Sequence, residues 1–163
     1  MTDATTEIIA KDIPAITVLA VSHEITIPDI PEVAGIKVPM LHENLAIGGL
    51  EPVGPVIFTY DGDVTSHDNV LKHTIAVPVD PSTQTQDAAF TNDFRIRELR
   101  AFKALSATHL GTMEKIDDAY ERIYAYAAEN SLALAGNHAR EVYHNWIDFA
   151  SPENVTEVLV ALA

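Results

Sequence analysis

A glutamate two residues ahead of a tyrosine, Glu141 and Tyr143, lies in the stretch Ala139–Trp146, whose composition predicts a strand. Strand alternation sends Glu141, Tyr143 and Asn145 to one face, and Arg140, Val142 and His144 to the other. A carboxylate beside aromatic rings suits a lipophilic cation. The rings offer apolar area and cation–π attraction, and the carboxylate offers charge where water is excluded. A plainer alternative is a solvated rim glutamate paired with Arg140 or Lys103. Trp146, the only tryptophan, extends the same strand. By strict alternation it faces away from Glu141, and only a bulge or the strand end would swing it round.

Other chemistry finds little support. The seven histidines (23, 42, 67, 73, 109, 138 and 144) include no HExxH and no close pair with a carboxylate at metal spacing, so no metal or other cofactor is expected. His109 reads as a strand-end hydrogen-bonding residue. Asp61-Gly62-Asp63 lacks the further ligands of a calcium loop and reads as a turn. No phosphate-cradling glycine loop and no Gly-x-Ser-x-Gly elbow occurs. Cysteine is absent, which removes disulfides, thiolate metal sites and thiol nucleophiles.

Ten basic against 24 acidic residues leave a net charge of −14 over 163 residues. An acidic surface repels nucleic acid and anionic membranes and favours basic partners. The first fifteen residues carry Asp3, Glu7 and Asp12 and lack a basic-then-apolar leader. No apolar run approaches the ~18 residues of a membrane span, so a cytoplasmic protein is expected. At 47% apolar and 21% charged the composition is globular, and the length fits one domain or two small modules on a shared core.

The elements that must hold these residues follow from periodicity. Residues 1–12 are polar and expected to be loosely held. Ile16–Val21, continued through Ile25–Ile27, predicts a strand. Ile30–Ile47 has apolar residues at helical spacing, but Gly35 and Pro39 predict a kinked helix, or a turn followed by a helix over 39–47, stopped by Gly48-Gly49. Val56–Tyr60 and Leu71–Val79 predict a hairpin. Residues 81–92 have linker composition, with Ala88-Ala89-Phe90 as a short anchor. Phe94–Thr108 predicts one long strand with a bulge. Thr112 is placed to cap a helix over 113–130 whose apolar stripe is Met113, Ile116, Tyr120, Ile123 and Ala127. Tyr120, Tyr124 and Tyr126 read mainly as helix packing and surface. Val155–Leu162 is the last strand, after a turn at Asp148–Asn154.

The order strand, helix, strand, strand is therefore written twice, as module one (14–80) and module two (93–163). A constant offset of 83 residues sets Tyr60 opposite Tyr143 and His73 opposite Thr156. The fold class expected is α+β, a tandem pseudo-two-fold pair of βαββ modules, since neither module alone can bury its helix face.

His109-Leu110-Gly111, an amphipathic helix, Gly136-x-x-x-Arg140-Glu141-Val142-Tyr143, Ser151-Pro152-Glu153 and Thr156-Glu157-Val158 together resemble the GyrI-like small-molecule-binding domain. Glu51-Pro52-Val53-Gly54-Pro55 and Ile75-Ala76-Val77-Pro78-Val79 extend the resemblance into the first half, so that it covers roughly residues 14–163. It implies a ligand cleft between the modules, faced by Glu141. With Ile57 and Thr59 taken as the helix-facing set, Phe58 and Tyr60 share that cleft with Glu141 and Tyr143, and Trp146 and Met113 join the ligand-binding candidates. Thr112-Met113 stands where the family usually shows Pro-Tyr or a similar aromatic pair.

The family includes effector-binding domains of multidrug regulators and free-standing proteins. The resemblance thus implies a free-standing binder of a hydrophobic cationic or aromatic small molecule, without a DNA-binding helix-turn-helix. Two alternatives remain. Some members hydrolyse reactive cyclopropane-bearing compounds, which would make Glu141 and Tyr143 catalytic. The family name also implies an acidic inhibitor that occupies the basic DNA site of gyrase or another DNA-binding protein.

Overall fold

The computed structural model describes residues 4–82 and 90–163. Its strands are β1 (Ala4–Thr5), β2 (Ile9–Ile13), β3 (Ile16–Ile25), β4 (Ile57–Asp61), β5 (Leu71–Pro78), β6 (Arg95–Leu99), β7 (Phe102–Leu110), β8 (Leu134–Asn145) and β9 (Val155–Leu162). Its helices are α1 (Ile30–Gly48) and α2 (Asp117–Glu129). All paired strands are antiparallel, in the order β1-β7-β9-β8-β4-β5-β3-β6, with β2 also on β7. Within it β7-β9-β8 mirrors β3-β5-β4, so the two βαββ units meet at the β4–β8 seam. This is the α+β arrangement expected.

Only Arg100 and Ala101 separate β6, at one margin of the sheet, from β7, beside the other. The sheet must therefore roll until its margins approach each other. Arg140, in mid-sheet, spans the interior of the roll: its Nη2 donates to the Arg100 carbonyl at 2.8 Å and its guanidinium lies 4.4 Å from the Phe102 ring centre. The strand expected over Phe94–Thr108 is thus two strands with different partners, broken where the chain changes margins.

The outer face of the roll carries both helices. α1 packs on β3 and β5, and α2 on β7 and β9. Leu41 and Leu45 of α1 meet Leu19, Val21, Ile75 and Val77 in the same core as Ala119, Ile123 and Ala127 of α2. The buried spacing on α2 is a plain i, i+4, i+8 stripe. A 3-10 turn at Met113–Lys115 precedes α2 in place of continuous helix from 113, and Thr112 enters it without a side-chain capping bond.

α1 runs unbroken through Pro39 and ends at Gly49, whose φ of 62° is the left-handed conformation that glycine adopts without strain. Buried Asn44 bonds back to Met40 O and accepts the Thr91 amide at 2.8 Å, which ties the helix to the segment leading into β6. Of the expected anchor, Ala88 and Ala89 lie outside the described residues, while Phe90 packs against Gly48.

The N-terminal segment, read as loose, instead forms β1 and β2 against β7. The side chains of Ile9–Asp12 are all exposed, so no apolar alternation announces the strand. Its hold comes from ladder hydrogen bonds and from Lys11, whose Nζ lies 2.7 Å from Glu157. Among the described residues no helix is long and apolar enough to cross a membrane.

Candidate functional site

Because α1 and α2 cover opposite halves of the sheet, the β4–β8 seam lies between them at the floor of a cavity of about 1160 Å³. Phe58 stands directly opposite Glu141 in the ladder, and paired residues share a face. Phe58, Tyr60, Glu141 and Tyr143 therefore face the cavity together, and all four line it. The grouping agrees with the sequence reading, but the face does not. Phe58 and Tyr60 point to the helix side, whereas Ile57 and Thr59, taken as helix-facing, point into the roll. Every residue of Ile57–Tyr60 is buried, so both faces of β4 are interior and the polarity of its residues could not tell them apart.

Glu141 is only 6% exposed. Tyr120 Oη of α2 donates to its Oε2 at 2.6 Å and Tyr143 Oη donates to its Oε1 at 2.8 Å, and the Tyr60 hydroxyl is close enough to act on its charge. Burial pushes the Glu141 carboxyl above its ordinary value, against the pull of the three hydroxyls, and the charge of Asp117 adds to the rise. Burial, and then the nearby Glu141 charge, pushes all three tyrosines well up, so they stay protonated and donate. Among the described residues no ion pair involves Glu141 and no lysine or arginine lines the cavity. The rim-glutamate reading fails because Arg140 is on the opposite face.

The other two candidates also line the cavity. Trp146 reaches it because the β8–β9 register slips between Tyr143 and Asn145, breaking the alternation. Its ring sits 5.5 Å from that of Tyr143, edge to face, and is about half exposed at the mouth. Met113 lines the wall at the entrance to α2 and accepts a bond from Thr156 Oγ1 on its sulfur. The sequence reading missed the α1 wall, including Ile30, Val38 and His42, and the role of Tyr120. A helix that crosses the cleft leaves no local spacing signal toward a strand 21 residues away.

The histidines divide between packing and polar networks. His73 is fully buried, stacks on Tyr60 and lies 2.7 Å from His23, nitrogen to nitrogen. Burial, with the nearby His23 charge, lowers its imidazole to about 3, so it is neutral. Inside the roll, Arg140 Nε donates to His138 Nε2, and the other nitrogen of His138 meets Asp61 at 2.7 Å. His109 Nε2 bonds the Thr112 carbonyl at 2.8 Å, the strand-end role expected of it. No group of three or more His, Cys, Asp or Glu among the described residues is arranged to hold a metal ion.

The sequence matches the model of the GyrI-like small molecule binding domain over residues 6–163. The chain belongs to this family. As a GyrI-like domain it shares its fold with the C-terminal domain of EcmrR, at a TM-score of 0.76 and 19% identity over 96% of this chain and 97% of that one. In the complex of EcmrR with DNA the match covers 57% of the longer chain, so the domain spans little more than half of that protein. SAV2435 bound to tetraphenylphosphonium is similar at a TM-score of 0.65 and 14% identity, over 97% and 94% of the two chains. A hydrolase encoded by lin2189 from Listeria innocua is similar at 0.68 and 12% identity, over 96% and 92%. At these identities the likeness is one of fold. No curated protein matches the GyrI-like chain by sequence.

Proposed function

We propose that the cleft binds a hydrophobic small molecule, preferentially a lipophilic cation, with its charge against Glu141 and its apolar groups among Phe58, Tyr60, Tyr143, Trp146 and Met113. The observation that carries this reading is a buried carboxylate at the floor of an apolar and aromatic cavity, held by neutral donors and paired with no cation among the described residues. A buried charge is costly unless it is paired. The tyrosine hydroxyls orient the carboxylate without cancelling its charge, so a cationic ligand would complete the site. The structure of SAV2435 with tetraphenylphosphonium supports the same ligand chemistry for this fold. Titration with tetraphenylphosphonium, followed by calorimetry and Trp146 fluorescence, tests the proposal. Saturable binding at one site per chain is expected, and no saturable signal up to millimolar ligand would overturn it.

A second reading is hydrolysis of a strained electrophile. It draws on the raised Glu141 carboxyl, a better base than a solvated one, and on tyrosine hydroxyls poised beside it. Here Glu141 takes a proton from water as the water oxygen attacks a ring carbon of a carbonyl-activated cyclopropane. The strained C–C bond breaks, its electron pair passes to the carbonyl as an enolate that Tyr143 stabilises by donating a hydrogen bond to its oxygen, and Glu141 returns the proton to the enolate carbon. Incubation with an activated cyclopropane, read by mass spectrometry, decides the point. Turnover that disappears in Glu141→Gln supports it, and turnover equal in both proteins refutes it.

A further inference from the structure

The two walls of the cavity differ in charge. The α1 wall is apolar apart from His42, whereas the turn into α2 and the start of the helix bring Glu114, Asp117 and Glu121 to the other wall. Among the described residues that line the cavity, these acids and Glu141 face no lysine or arginine. The side chain of Asp117 is 66% exposed, and His67, its ion-pair partner among the described residues, stands 3.9 Å away, beyond hydrogen-bond reach. Half-buried Tyr124 lines the same wall. Burial raises its hydroxyl first, followed by the charges of Asp63 and Asp117, and the Glu141 carboxyl, raised by burial, is pushed further by Asp117. Asp117 therefore lies close enough to act on both the floor carboxylate and Tyr124. The helix dipole favours an acid in the first turn and accounts for Asp117 alone. It does not account for Glu121, a like charge at the i, i+4 spacing that opposes helix formation.

A carboxylate near a tyrosine ring thus occurs twice, Glu141 with Tyr143 on the floor and Asp117 with Tyr124 toward the solvent. The cavity, at about 1160 Å³, exceeds the ~300–1,000 Å³ usual for one drug-sized ligand, so an elongated molecule has room to meet both. We infer that Asp117, supported by Glu121, forms a second cation subsite, and that the cleft is built for elongated aromatic dications such as bis-amidines, with one charge at Glu141 and the other between Asp117 and the Tyr124 ring. The inference rests on the reading of the cavity as a cation site and deepens it by naming the ligand class. A compact monocation fills only the floor subsite.

The test compares 1,5-bis(4-amidinophenoxy)pentane with the analogue in which a nitrile replaces one amidine, so that length and rings match and one charge is lost. Calorimetry on the unaltered protein at low salt should show the dication binding about tenfold more tightly, a modest gain because the outer carboxylates are solvated and screened. Asp117→Asn combined with Glu121→Gln should cut that preference to less than about threefold and change the mononitrile less than about twofold. Glu32→Gln combined with Glu43→Gln removes two charges from exposed positions of α1 that do not line the cavity, and should leave the preference in place. A dication no tighter than the mononitrile on the unaltered protein would overturn the inference and leave the cation reading intact. So would a preference that survives in the Asp117 and Glu121 variant, or one lost equally in both double variants. Failure of both ligands to bind the unaltered protein would remove the cation reading and this inference with it.

Discussion

Replacing Glu141 with glutamine keeps the volume and shape of the side chain and removes its charge. A unit positive charge held about 6 Å from the carboxylate, at an effective dielectric of about 20, gains about 3 kcal/mol. The 6 Å separation allows for an aryl-shielded charge centre. At about 1.4 kcal/mol per decade, that energy is worth about a hundredfold in affinity. Glutamine retains one acceptor oxygen, so one tyrosine hydroxyl remains satisfied and the cavity floor should survive. Glu141→Gln should therefore weaken tetraphenylphosphonium about 30- to 100-fold and change a neutral relative such as triphenylphosphine oxide less than about threefold. Calorimetry gives both constants, and Trp146, half exposed beside Tyr143, reports the same events by fluorescence. pH adds an internal check. Because the Glu141 carboxyl titrates above its ordinary 4.5, cation affinity in the unaltered protein should fall with acid from a point above that value, while Glu141→Gln stays flat. A less than threefold loss for the cation, or equal losses for cation and neutral probe, would refute the electrostatic account.

Three further predictions concern the frame. Pro39→Ala, which returns a hydrogen bond to the middle of α1, should stabilise the domain by about 1–3 kcal/mol in urea melts, and a loss of stability would show that the proline itself is needed for packing. Glu157 accepts bonds from Lys11, Ser106 and His144, which against the cost of burial hold its carboxyl down at about 2. Its contribution is complete above pH 4.5 and fades as pH falls toward 2, so Glu157→Gln should cost about 2–3 kcal/mol at pH 7 and progressively less below 4.5. A pH-independent cost would contradict this. His73 is the opposite kind of group, a base whose folded value lies below its unfolded 6.5. The unfolded chain takes up its proton first, so stability should fall as pH drops from 6.5 toward 3. In His73→Gln that slope should be shallower, and an unchanged slope would place the acid sensitivity elsewhere.

Much of the frame was legible in the sequence because its elements obey simple periods. β9 matches its expected bounds, β4 and β5 form the predicted hairpin, and the α2 stripe holds Ile123 and Ala127 in the core. The 83-residue offset relates equivalent strands of the two units, β4 to β8 and β5 to β9, which lie symmetrically about the β4–β8 seam. What escaped has physical causes. Rolling the sheet buries both faces of β4, so the choice of face for Phe58 and Tyr60 depended on a closure made by residues 95–110 far along the chain. The same closure divides the strand expected over Phe94–Thr108. Pro39 argued against a continuous α1, yet the loss of one backbone hydrogen bond is outweighed by the packing of Leu41 and Leu45 on β3 and β5. β2 was invisible because an exposed strand held by backbone bonds and one ion pair needs no apolar pattern. Trp146 enters the cleft through a register slip, which strict alternation cannot foresee.

The central claim is that the cleft between α1 and α2 holds a cation over Glu141, and a crystal structure with tetraphenylphosphonium tests it most directly. The account predicts the phosphonium in this cavity, its charge centre closer to Glu141 than to any other carboxylate and its phenyl rings against Phe58, Tyr143 and Trp146. A cation bound elsewhere on the acidic surface, with the cleft empty or collapsed, would contradict it.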